Sequence, residues 1–222
     1  MNRLFSLAAT LAATACIAAE SKMPISPTIG GRENTEWSTF YSFHVTDKDK
    51  NLPRVLLVGD SITGGYQSGV RAKLEGKAAV SYWISSYGIN RPEYADHLEM
   101  YLSTHEYDIV HFNNGLHGTQ GDWGEGLERA LATIRRIRPK AKVIWATSTP
   151  LKTGTNERIA KMNAKGREIA TKAKVDAIDD LFAVCDPLDR EKNWRDQYHF
   201  KPAAVSKLVD QVSNCILSVL AK

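Results

Sequence analysis

Val55-Leu56-Leu57-Val58-Gly59-Asp60-Ser61-Ile62-Thr63-Gly64-Gly65 is the stretch on which the reading of the whole chain rests. Four consecutive apolar residues read as a short strand buried on both faces. The run stops at Gly59; an acid, a serine and two glycines follow before a helical pattern starts near Tyr66. A serine on a tight, glycine-bounded turn at the carboxyl end of a buried strand stands where open α/β sheets place their chemistry. Ser61 is therefore a candidate nucleophile. Its simpler role would be to cap the next helix while the glycines make the turn.

A second stretch, Trp194-Arg195-Asp196-Gln197-Tyr198-His199-Phe200, weighs against the simpler role. A serine nucleophile needs a base for its proton, and the base needs a partner that fixes its tautomer and stabilises the imidazolium. His199 supplies the base. Asp196, three residues earlier, reaches the same ring if the segment makes one turn. Taken singly, His199 would be an ordinary surface or core histidine and Asp196 a cap for the last helix. Together with the strand-end serine they point to nucleophilic catalysis.

Gly59-Asp60-Ser61 near one end and Asp196-x-x-His199 near the other resemble the first and last blocks of the SGNH (GDSL) hydrolases, and the likeness runs from about residue 53 to 220. The turn is not the Gly-x-Ser-x-Gly elbow of α/β-hydrolases, because Thr63 stands where that motif has its second glycine. The resemblance implies an α/β fold: three α/β/α layers around a flavodoxin-like parallel sheet. It also implies ester hydrolysis through a serine acyl-enzyme, needing neither cofactor nor metal. The family's second block supplies a backbone N–H to the oxyanion hole, and Gly88 in Ser85-Ser86-Tyr87-Gly88-Ile89-Asn90 is the glycine that matches, beside the N–H of Ser61 itself. The third block, Gly-x-Asn-Asp, fits Asn113-Asn114-Gly115-Leu116-His117-Gly118 in two registers. One gives Asn113 the oxyanion role and Asn114 the aspartate position; the other gives that role to His117. An asparagine amide and a neutral imidazole can each present an N–H to a developing oxyanion.

Size and composition bound the rest. The chain has 222 residues, 43% hydrophobic, enough for one domain with a sizeable core. Its net charge of +4 is spread without a dense Lys/Arg block, so nucleic acid is not an expected partner. Residues 1–19 read as a signal peptide: Arg3 precedes an apolar Leu4–Ala19 run that ends in small residues and is too short and Ala/Thr-rich for a membrane span. Thr14-Ala15-Cys16 loosely resembles a lipoprotein cleavage site, which leaves anchoring at Cys16 as the alternative to a secreted or periplasmic protein. Residues 20–52, with an aromatic-rich Trp37–Val45 part, read as an N-terminal arm; 53–222 is the esterase-like domain. Cys185 and Cys215 either pair or stay as two buried thiols. His44, His97, His105 and His111 lack His-Glu-x-x-His spacing, so no zinc site is expected.

After the Ser61 turn, strands and helices alternate. Helices are expected over 66–77, 92–104, 121–138, 155–174 and 201–221, and strands over 78–84, 108–112 and 142–146. Pro92 suits a first helical turn, and the last helix carries the stripe Val205, Leu208, Val212, Ile216, Val219. Asn163 reads as structural, Asp179 and Asp180 as caps of a short helix, and 186–195 as a polar loop carrying Asp196 and His199 to the top of the sheet. The layout is that of a doubly wound sheet with its site at the carboxyl edge. The function expected is an exported serine esterase acting on short acyl groups, acetyl first, on carbohydrate. The alternatives are a glycan-binding module of the same fold without turnover, or an acyltransferase or lipase.

Overall fold

The computed structural model describes residues 36–44, 46, 49–117 and 123–222. The expected leader over 1–19, with Cys16 in it, and the arm's residues 20–35 lie outside these.

The elements run β1 (Ser38–Tyr41), β2 (Arg54–Gly59), α1 (Ser61–Lys73), β3 (Ala79–Ser85), α2 (Pro92–Leu102), β4 (Ile109–Phe112) and α3 (Trp123–Ile137). Then come β5 (Lys142–Ala146), α4 (Glu157–Lys172), β6 (Ala177–Asp179), α5 (Leu181–Cys185), α6 (Arg190–Asn193) and α7 (Pro202–Leu220). They build one six-stranded sheet in the order β1-β3-β2-β4-β5-β6. Every neighbouring pair is parallel except β1 against β3. Leaving β1 aside, the parallel strands follow the doubly wound order 2-1-3-4-5, whose direction reverses at β2. The crevice of such a sheet opens beyond the carboxyl end of that strand, where Ser61 begins α1.

The pleat of β2 explains why its apolar run is unbroken. Val55 and Leu57 join one core cluster, with Tyr66, Val70, Leu208 and Ile216 of α1 and α7. Leu56 and Val58 join the other, with Leu98, Leu127 and Ile134 of α2 and α3. All four side chains are fully buried. By length and composition α7 would fit a bilayer, but it works as a core helix here: Ala204, Leu208, Val212, Ile216 and Val219 are buried, and α1 packs along it.

Four features depart from the expected pattern. The first helix starts at Ser61, five positions before Tyr66, because Asp60 caps it: its Oδ1 accepts the N–H of Ile62 at 2.9 Å. The two glycines that suggested a turn sit inside that helix. Part of the arm is a strand, since Ser38-Thr39-Phe40-Tyr41 carries the β-branched and aromatic residues that suit an edge, and Phe40 stacks on Tyr101 at 4.5 Å between ring centres. Within the 186–195 loop, residues 190–193 make the short helix α6, capped by Asp189. Asp180 does cap α5, but Asp179 is no cap; it ends β6 and bonds to His111 and Gln211.

Candidate active site

Gly59 brings β2 to its end without a side chain, and nothing larger fits. A Cβ there would collide with Thr63 Oγ1 and lie 2.7 Å from the carbonyl oxygen of Asn113. The close approach sets Asp60 as the cap and Ser61 as the first residue of α1. First-turn N–H groups have no partner inside their own helix, and the helix dipole makes this end favour negative charge. Ser61 therefore presents a hydroxyl and, from the same residue, a backbone donor.

The base comes from a closed loop. Trp194 and Phe200 form an antiparallel bridge with their rings 4.7 Å apart, and the N–H of Arg195 donates to the carbonyl of His199 at 2.8 Å. Trp194 is 1% exposed, and its indole N–H donates to Pro150 O at 3.3 Å. Gln197 ties the loop to the segment after β5: its carbonyl accepts the N–H of Lys152 at 2.9 Å, and its side chain pairs with Thr153. Inside the loop, Asp196 Oδ1 accepts the N–H groups of Tyr198 and His199 at 2.9 and 2.8 Å. Partial burial works to raise the Asp196 pKa, but those two N–H groups and the His199 ring outweigh it and hold the carboxyl well below the usual carboxylate range.

The three candidate catalytic residues meet here. Asp196 Oδ2 lies 2.8 Å from His199 Nδ1, and His199 Nε2 lies 2.9 Å from Ser61 Oγ. A carboxylate can only accept, so Nδ1 carries the ring hydrogen and Nε2 is left to accept from the serine hydroxyl. Two residues 138 positions apart in the chain thus share one hydrogen bond at the carboxyl edge of the sheet.

The candidate oxyanion donors are placed differently. Gly88 is buried in the turn after β3, where its carbonyl accepts the N–H of Arg91 at 3.1 Å. Asn114 braces that turn by donating its amide to Tyr87 O at 3.0 Å. The amide of Asn113 donates to Ala146 O at 3.2 Å and Thr147 O at 3.0 Å, so both of its hydrogens are engaged with the end of β5. His117 lines the cleft beside Ser61. It is brought there by Gly115, which packs so tightly on Ser148 that a Cβ would collide with Ser148 Oγ. Ser148 is in turn gripped by Asn163, whose amide bonds its N–H and its carbonyl, each at 2.9 Å. Beneath the site, Asp60 is fully buried. Burial pushes its carboxyl above the usual range, and His117, the N–H groups of Ile62 and Leu116, and His199 offset this only in part.

Two hollows flank the Ser61–His199 pair. One, of about 350 Å3, is lined by Trp37, Leu116, His117 and Tyr198; the other, of about 230 Å3, is lined by Ile62, Arg195, Phe200, Val205 and Leu208 among others. Trp37 and Tyr198 are aromatic cleft residues that sequence reasoning did not place at the site. The available signals were the aromatic content of the arm and a tyrosine next to the base. A larger hollow, about 410 Å3, lies away from these groups, beside Phe43, Arg71 and Glu75. Cys185 and Cys215 are free thiols, and burial pushes each up to about 12, so neither is a nucleophile near neutral pH.

Neither a protein-family model nor a curated protein sequence matches the chain. Solved structures do. An aryl esterase of M. smegmatis superposes with a TM-score of 0.64 at 19% identity, over 75% of this chain and 99% of that one. The carbohydrate acetylesterase Est24 of Sinorhizobium meliloti gives 0.62 at 16%, over 75% and 99%. A carbohydrate esterase family 3 protein of Talaromyces cellulolyticus gives 0.61 at 16%, over 77% and 99%. Likeness at such identities is likeness of fold: the chain has the α/β/α fold of the SGNH hydrolases.

Proposed function

We propose that the chain is a serine esterase, exported by residues 1–19, that removes short acyl groups, acetyl first among them, from carbohydrate. The observation that carries this reading is the unbroken hydrogen-bonded line from Asp196 through His199 to Ser61. Its fold neighbours, which include a carbohydrate acetylesterase, support the choice of ester and of acyl group.

In the first half-reaction His199 Nε2 takes the hydroxyl proton of Ser61 as Oγ bonds to the ester carbonyl carbon. The carbonyl π electrons move to oxygen, making a tetrahedral oxyanion. The Nδ1–H held by Asp196 keeps the imidazole in the tautomer that can accept, and the carboxylate stabilises the cation that forms. The N–H groups of Ser61 and Gly88 hold the oxyanion, with the imidazole of His117 as third donor. Asn113 is passed over for that role because Ala146 and Thr147 engage its amide. As the intermediate collapses, the carbon–oxygen bond to the alcohol breaks and His199 protonates the leaving oxygen. Water then attacks the acyl-enzyme, giving its proton to His199, and the acid leaves as Ser61 recovers its hydrogen.

The test is hydrolysis of p-nitrophenyl esters, from acetyl to long acyl, by residues 20–222 beside Ser61→Ala and His199→Ala. Turnover that falls with acyl length and vanishes in both variants is expected. Activity that survives Ser61→Ala overturns the mechanism.

A further inference from the structure

The wall of the larger hollow beside Ser61 carries two aromatic rings that acyl transfer itself does not require. We propose that Trp37 and Tyr198 form a sugar subsite, gripping the pyranose ring of the ester's alcohol part while the acyl group occupies the smaller hollow. The proposal rests on the esterase reading above.

Trp37 is not a stray side chain of a loose arm. Its N–H donates to Ser86 Oγ at 3.0 Å, and its carbonyl accepts the N–H of Ser86 at 3.0 Å. On one side of it, Glu36 pairs with Arg91 at 2.6 Å, and that guanidinium is only 8% exposed. On the other side, Ser38 Oγ accepts the indole N–H of Trp83 at 2.9 Å before β1 joins the sheet. These ties fix the tryptophan beside the Gly88 turn. Tyr198, in the lining of the same hollow, is held through its backbone N–H on Asp196.

The exposure of Tyr198 is the second observation. The large rings Trp83, Trp145, Trp194, Tyr66 and Tyr94 are all but fully buried, whereas Tyr198 is 49% exposed. A half-open aromatic side chain in the wall of a hollow that also holds Ser61 and a second aromatic residue offers an apolar face to a ligand.

The chemistry of the two hollows divides the substrate. A pyranose presents flat, apolar C–H faces and polar edges, and an aromatic plane with a polar tip matches both. A small acyl group needs an aliphatic niche. The smaller hollow offers Ile62, Val205 and Leu208 in its lining, together with Phe200 and Arg195.

The deciding measurement compares kcat/KM for methyl 6-O-acetyl-glucopyranoside with kcat/KM for ethyl acetate, in the wild type, Trp37→Ala, Tyr198→Ala and Trp37→Phe. Each alanine variant should lower the sugar-to-ethyl ratio about tenfold, mainly through KM, and Trp37→Phe should recover most of it. A ratio that stays at the wild-type value in both alanine variants overturns the proposal. So does a Trp37→Ala change in acyl-length preference, measured over ethyl acetate to ethyl hexanoate, without a change in the ratio. If Trp37→Ala does not fold by circular dichroism, Trp37→Phe and Tyr198→Ala carry the comparison. A wild type without turnover on any ester sinks the esterase reading instead. Calorimetric titration of the acetylated glucoside into that protein then decides the subsite: binding weakened by Tyr198→Ala supports it, and absence of binding overturns it.

Discussion

Two Asp–His pairs among the described residues have nearly equal length and opposite character. Asp196 and His199 lie three residues apart on an open loop, 2.8 Å from each other, with 45% and 31% of their side chains exposed. His111 and Asp179 lie 68 residues apart on β4 and β6, 2.9 Å from each other, and both are wholly buried. The difference is in what the second ring nitrogen meets. His199 Nε2 meets the hydroxyl of Ser61 in an open cleft. His111 Nδ1 meets no hydrogen-bonding group among the described residues, and its ring packs edge-on to Tyr66. The buried carboxylate is shared instead with Gln211 of α7 at 2.7 Å, so the pair fastens a helix to the sheet. A histidine held by an aspartate can act as a base only when the far side of its ring opens on a group that can give it a proton, and of these two pairs His199 alone has that opening.

Matched substitutions break this contrast or sharpen it. The largest effect should come from Asp196→Asn, with kcat down by about 10^4-fold while the melting temperature hardly moves. Asp179→Asn should do the reverse. Unpairing a buried ion pair or hydrogen-bonded couple costs about 3 kcal/mol, read by urea unfolding, and kcat per folded molecule should stay near the wild-type value. Equal losses of kcat in the two variants would erase the distinction. Next comes the donor question. His117→Ala should lower kcat by about a hundredfold without unfolding the protein. Asn113→Ala should act on stability, leaving two buried carbonyls short of a partner at about 1–3 kcal/mol. A large kcat loss in Asn113→Ala alone would reverse those assignments.

The smallest effect is one of pH. Bonds to Asp196 hold its carboxyl below the usual range in the folded state. The stability it contributes is therefore complete above the ordinary carboxylate value of about 3.9 and is lost as pH falls through the lower folded value. The small gap in melting temperature between the wild type and Asp196→Asn should hold from pH 7 to about 4 and close only below that. A gap that closes near pH 6 would mean the carboxyl is not held low.

The contrast also marks what could be read from sequence. Asp-x-x-His was visible because one turn of chain closes it, and Val55–Val58 was visible because a strand buried on both faces leaves no polar position. His111 and Asp179 were not, since β5 lies between their strands and nothing local joins them. The start of α1 was misplaced because glycines usually mark turns, whereas here Asp60 caps a helix that begins before them. Strand β1 was hidden because its pairing partner lies beyond β2 in the chain. What the Asn113 amide meets was not legible either, because its partner carbonyls belong to the end of β5, a distant segment.

The clasped loop between Trp194 and Phe200 has a consequence for how the protein comes into being. Ser61, the proposed nucleophile, comes early in the chain and His199, its proposed base, late, and the loop that presents His199 is pinned by Trp194 to Pro150. A chain made only as far as β5 holds Ser61 without the histidine that meets its hydroxyl. In the proposed mechanism, recovery of ester turnover during refolding would require the Trp194–Phe200 clasp to have closed.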